Sequence, residues 1–112
     1  GSRFGPHSMQ DEFHPGFDHT LAIMSYFNGG IRAFDIRDPF DPLEVAHFVP
    51  EITENTSEAC SEMDGVQQCV AVIQTNNVNI DDRGYIYGVD RSNTGLHIVE
   101  LTGPAREIAG LE

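Results

Sequence analysis

Short apolar or alternating runs, each closed by glycine, proline, asparagine or aspartate, make up most of the chain. The clearest spans 25–42, SYFNGGIRAFDIRDPFDP. An apolar run there breaks at Asn28-Gly29-Gly30. Ile31, Ala33 and Asp35 then alternate with Arg32, Phe34 and Ile36, until Asp38-Pro39 and Asp41-Pro42 stop the pattern. Asparagine and glycine reach the positive φ values of a tight turn, so the stretch predicts strand, turn, strand and a proline stop. Upstream, Thr20 to Phe27 is too short for a typical helix and rich in large apolar residues, which predicts a buried strand. Leu43 to Val49 alternates again. With the Phe4 to His7 region this gives four strands before Pro50, interrupted by a polar loop at 9–19 that carries Pro15-Gly16. Beyond residue 68, Cys69 to Ile80, Tyr85 to Val89 and Gly95 to Leu101 read as strands, with a turn at Asp81-Asp82-Arg83-Gly84 and a last short strand over Arg106 to Leu111. No segment shows a helical period.

The pattern repeats. Gly30-Ile31-Arg32-Ala33-Phe34-Asp35-Ile36 aligns with Gly95-Leu96-His97-Ile98-Val99-Glu100-Leu101 at a constant offset of 65 residues. Each copy runs into a proline turn, and Glu44-Val45-Ala46 then matches Glu107-Ile108-Ala109. Two copies of a four-stranded unit of propeller-blade length follow from this echo. The expected fold class is therefore all-β, two four-stranded antiparallel β-propeller blades forming part of a larger or oligomeric propeller. The expected organisation is a first blade at 1–50 with the inserted loop 9–19, an acidic, cysteine-containing connection at 51–73, and a second blade at 74–112. A connection of that length calls for a reason, and Cys60 and Cys69 offer one, because a bond between them would staple it.

Charge narrows the partners. Eighteen acids stand against six bases, all arginine, for a net charge of −12. Such a surface repels phosphate backbones and anionic headgroups, so neither nucleic acid nor a membrane surface is expected as partner. No apolar run approaches the roughly 20 residues of a membrane span, and no signal-peptide pattern opens the sequence. Gly1-Ser2 reads as a cloning remnant.

The text from Tyr26 to Pro39, with Gln74-Thr75-Asn76-Asn77-Val78, Asp81 to Tyr87 and Gly95 to Leu101, resembles the LVIVD-repeat family of bacterial β-propeller proteins. The resemblance covers most of the chain outside 9–19 and 51–68. It implies the carboxy-terminal two blades of a longer propeller, exported or surface-attached, and hence an extracytoplasmic location: periplasmic, cell-surface or secreted. The remaining blades would come from the same chain or from a homo-oligomer. In an exported protein the even cysteine count and short separation lead to the expectation of a Cys60–Cys69 disulfide. The family pattern also places a histidine where the innermost strand of a blade opens towards the central channel. That position falls on His7, and by the echo on Asn76 or Asn77 in the second blade, which makes these three the candidate ligand-facing residues.

Other chemistry is sparse. His14, Asp18 and His19 form the single local cluster holding both imidazole and carboxylate, and so are the candidate ligands for a divalent metal. Loop histidines are more often simply solvated, and no H-E-x-x-H spacing is present. Asp35, Asp38 and Asp41 lack the rest of a calcium loop and read as turn formers, as do Asp81 and Asp82. Ser8, Ser25 and Ser92 lie in no nucleophile-elbow context. The expectation is a non-catalytic binding or scaffolding module with no cofactor and an unidentified protein or small-molecule ligand. The alternative is a metal-dependent oxidoreductase or hydrolase using channel-facing histidines.

Overall fold

The computed structural model describes residues 3–112; Gly1 and Ser2, and the cloning-remnant reading with them, lie outside that span. The elements are β1 (Phe4–Met9), β2 (Leu21–Phe27), β3 (Ile31–Asp35), β4 (Leu43–Phe48), β5 (Glu58–Met63), β6 (Val66–Ala71), β7 (Thr75–Ile80), β8 (Ile86–Asp90), β9 (Leu96–Val99) and α1 (Gly103–Ile108). Seven strands form one antiparallel sheet, in the order β4-β3-β2-β7-β8-β9 with β1 also paired to β2, and it curls into a half-barrel. The fold is thus all-β, as the alternation requires.

Register follows from which face is buried. Leu21, Ile23 and Ser25 point inward from β2 and pair with Asp35, Ala33 and Ile31 of β3. A slip of one residue would turn that set out to solvent. Strands β1 to β4 form a first unit, and β7 to β9 with α1 a second. Leu21, Ile23, Ile31 and Ala33 of the first unit share one core with Val78, Ile80 and Ile86 of the second. Between the backbones of β2 and β7 the register holds a single pair, Phe27 opposite Thr75.

Three sequence expectations need correction. Arg106 to Leu111 is expected as a strand, with Glu107-Ile108-Ala109 echoing Glu44-Val45-Ala46, yet Gly103–Ile108 is helical. Pro104 sits in the first turn, where its fixed φ suits a helix and its missing N–H costs nothing. Ala105 and Ala109, four apart, put two small side chains on one helical face that closes the core. The 51–68 connection is not structureless either, because it holds β5 and the start of β6, which pair as a separate two-stranded sheet. The expected run from Cys69 to Ile80 accordingly breaks at Val72 to Gln74, where β6 leaves this hairpin and β7 enters the main sheet.

Cys60 and Cys69 lie directly opposite each other on β5 and β6 and are joined by a disulfide, as expected. A two-stranded hairpin is marginal by itself, and closing a loop of this size removes about 3 kcal/mol of chain entropy from the unfolded hairpin. Its base is tied to the β8–β9 turn, where the Ser57 amide donates to the Ser92 carbonyl at 2.7 Å and the Thr56 and Thr94 hydroxyls meet at 2.9 Å.

Candidate functional site at the seam between the units

Where β1, β2 and β7 meet, side chains replace the backbone ladder. The Ser25 hydroxyl, fully buried, donates to the Asn76 carbonyl at 2.7 Å and accepts the Ser8 amide at 3.0 Å. The Ser8 hydroxyl reaches the same carbonyl at 3.0 Å. His7 completes the set, its Nδ1 lying 2.7 Å from the Asn76 carbonyl oxygen. A carbonyl only accepts, so His7 carries its proton on Nδ1 and presents Nε2 outward. His7 and Asn76, singled out separately in the sequence, are thus in direct contact across the seam. The Asn77 side chain accepts from the Asn76 amide group.

The surroundings of His7 were not legible as a site. Its ring meets the Phe27 ring edge-on at 4.9 Å. The Arg3 and Arg91 guanidinium carbons each stand 5.9 Å from the centre of the same ring. Arg91 also donates to the Asn76 side-chain oxygen at 3.4 Å. Phe27 has φ of 50°, a left-handed conformation that costs a non-glycine residue about 1 to 2 kcal/mol. Amides of the turn hold it there, with Gly30 N–H donating to the Phe27 carbonyl at 3.1 Å.

Four of the six arginines are already engaged with carboxylates: Arg32 with Glu44, Arg37 with Asp35, Arg83 with Asp81, and Arg106 with Glu100. Among the described residues, Arg3 and Arg91 have no carboxylate within 4.0 Å, although Asp90 adjoins Arg91 in sequence. Asp90 is buried and accepts the Gln74 amide at 2.8 Å and the Ser92 amide. No spacing in the sequence marks the two unmatched arginines: they lack the i, i+2 Asp-x-Arg spacing of Arg37 and Arg83, but so do the paired Arg32 and Arg106.

The structure does not gather the candidate metal ligands. His14 turns into the protein, packs on the Phe17 ring at 4.9 Å and uses Nδ1 to accept the Gly16 amide at 3.0 Å. Asp18 and His19 stand outside, 3.4 Å from each other. Among the described residues no three His, Cys, Asp or Glu side chains converge. Asp35, Asp38 and Asp81 each accept a backbone amide two residues on, as their turn reading predicts. Asp35 and Glu100, echo counterparts, are bound to Arg37 and Arg106, and the former carboxyl is held below its ordinary value by hydrogen bonds from Arg37.

Asp81 is more strongly held. Partial burial pushes its carboxyl up, but hydrogen bonds from the Arg83 guanidinium, the Tyr85 and Arg83 amides and the Tyr87 hydroxyl outweigh this and bring it from 3.8 down to about 2. The folded value lies below the unfolded one. The turn's contribution is therefore complete above the ordinary 3.8 and is lost as pH falls through about 2. Carboxyl-carbon NMR should show Asp81 titrating near 2, with Tyr87→Phe moving the midpoint up. A wild-type midpoint at the ordinary value would contradict the geometry.

A second feature is a cleft of about 230 Å³ between β3–β4 and β8–β9, lined chiefly by Ile31, Ala33, Ala46, Phe48, Ile86 and Val99. It offers shape and apolar surface, with His47, Glu100 and Thr102 also on its lining. Comparison with protein-family models, curated proteins and solved structures finds no match to the chain.

Proposed function

We propose that the chain is a non-catalytic binding module of propeller type, related to the LVIVD-repeat proteins and acting outside the cytoplasm, whose seam takes an anionic, carboxylate-bearing ligand. The observation that carries this reading is the placement of the two uncompensated arginines, Arg3 and Arg91, beside Phe27 and the outward Nε2 of His7. In a chain of net charge −12 an unneutralised cationic spot is the place where an anion gains most and is least repelled. Arginine offers a carboxylate a two-pronged donor, and the Phe27 ring supplies a flat apolar floor. The serines of the seam are spent on the Asn76 carbonyl, and His7 Nδ1 bonds that carbonyl rather than a hydroxyl, which supports recognition over nucleophilic chemistry. The disulfide supports an oxidising compartment.

The reading is tested by titrating glutarate into isotope-labelled protein at low salt. Amide shifts are expected at Phe27, Asn76 and Arg91, with affinity falling on the order of tenfold in Arg91→Ala, as for loss of one charged hydrogen bond. Shifts that avoid the seam, or that are the same in Arg91→Ala, would overturn it.

A further inference from the structure

The β8–β9 pairing of the second unit repeats the β2–β3 pairing of the first. Across β2–β3, Ile31, Arg32 and Ala33 lie opposite Ser25, Met24 and Ile23. Across β8–β9, Leu96, His97 and Ile98 lie opposite Val89, Gly88 and Tyr87. The partner order is the same, at an offset of 65 residues between β3 and β9 and 64 between β2 and β8, so Leu96 and Ile98 are the counterparts of Ile31 and Ala33, and Gly88 is the counterpart of Met24.

Burial inverts between these counterparts. Ile31 and Ala33 are 4% and 3% exposed, because they lie against the second unit, whereas Leu96 and Ile98 are 59% and 56% exposed. Val89, beside them on the same face, is 44% exposed. On the receiving side, Gly88 is where the first unit lands, since a Cβ built there would stand 2.5 Å from the Ile31 methyl carbon Cδ1. Its counterpart Met24 lies on the opposite, outward face of the first unit. The chain therefore contains one complete interface, front of unit one on back of unit two. It also carries both halves of a second: the exposed front of unit two and the outward back of unit one.

We propose that a second copy of this chain seats its first unit, through Met24, Tyr26 and Phe34, on the β8–β9 face of the first copy, through Val89, Leu96 and Ile98, continuing head to tail the interface already present between the units. The receiving face is suited to it. Phe4, Tyr26 and Phe34 form an aromatic row with ring centres 5.5 and 5.8 Å apart, and Phe4 is 69% exposed. Because the two mating faces differ, the contact is heterologous, and copies add in one direction to a closed ring or an open chain. This contact lies apart from the Phe27 seam and does not depend on its ligand.

Light scattering coupled to size exclusion at 0.5 M NaCl, where repulsion between the acidic chains is screened, is expected to give multiples of the 12.4 kDa chain. Leu96→Glu and Phe4→Glu, both at exposed positions, should each give folded monomers. Mixed one to one they should give a dimer, since one variant keeps an intact front and the other an intact back. A folded wild-type monomer at 12.4 kDa at every concentration, assembly that survives either substitution, or a mixture that stays monomeric would overturn the proposal. Leu96→Glu should keep the glutarate response of the seam, which separates failure of this contact from failure of that one.

Discussion

Phe17→Ala is expected to lower the unfolding free energy by about 3 to 5 kcal/mol, a large part of what a domain of this size possesses. Phe17 lies in the 9–19 segment, yet it is 1% exposed. The segment coils back on itself, with the Phe17 and Asp18 amides both donating to the His14 carbonyl at 2.9 Å. That coil drives the ring into the core shared with Ala105 and Ala109 of α1. The two alanines have no atoms with which to fill the space a truncated Phe17 would leave, so relaxation is limited and the cavity cost is near its full value. Phe40, at 96% exposure in the Asp38–Asp41 turn, is the matched control, and Phe40→Ala should change stability by no more than about 0.5 kcal/mol. Urea midpoints at constant slope decide both. Equal effects at the two positions would mean that the 9–19 segment is not packed on the helix.

Gly30→Ala should also be severe, by at least about 3 kcal/mol, although the residue sits in a turn where such changes are commonly mild. Gly30 has φ of 73°, and a Cβ there would fall 2.1 Å from the Phe48 carbonyl oxygen and 2.9 Å from the Val49 Cα. Those are backbone atoms at the end of β4, so no rotamer change gives way. Moving them apart would disturb the hydrogen bond from the Tyr26 amide to the Gly30 carbonyl, at 2.8 Å, that closes the hairpin. Loss of under 1 kcal/mol in the same urea experiment would contradict this geometry.

Alternation and turn chemistry made most of the main sheet legible, because a period of two and a paired glycine leave few other readings for residues 20–50. Legibility failed wherever a third partner decided the outcome. Phe17 reads as a loop residue because the polar text around it says nothing of the helix it meets. The helix was hidden because six residues cannot display a period, and because the echo with Glu44-Val45-Ala46 argued for a strand. The site was half legible. His7 and Asn76 were singled out and do meet, whereas Arg3, Phe27 and Arg91 lie far apart in sequence and are united only by strand pairing, β1 on β2 for Arg3 and the β2–β7 crossing for Arg91.

That crossing has a mechanical consequence. A ladder of amide bonds resists shear along its whole length, because sliding breaks every rung at once. Here a single backbone rung joins β2 to β7, and beside the shared apolar core the polar link is a carbonyl at Asn76 shared by two hydroxyls and an imidazole. Hydroxyls rotate about their C–O bonds and keep an acceptor through tens of degrees of swivel, so the angle between the units can adjust by small sliding steps without stranding a buried polar group.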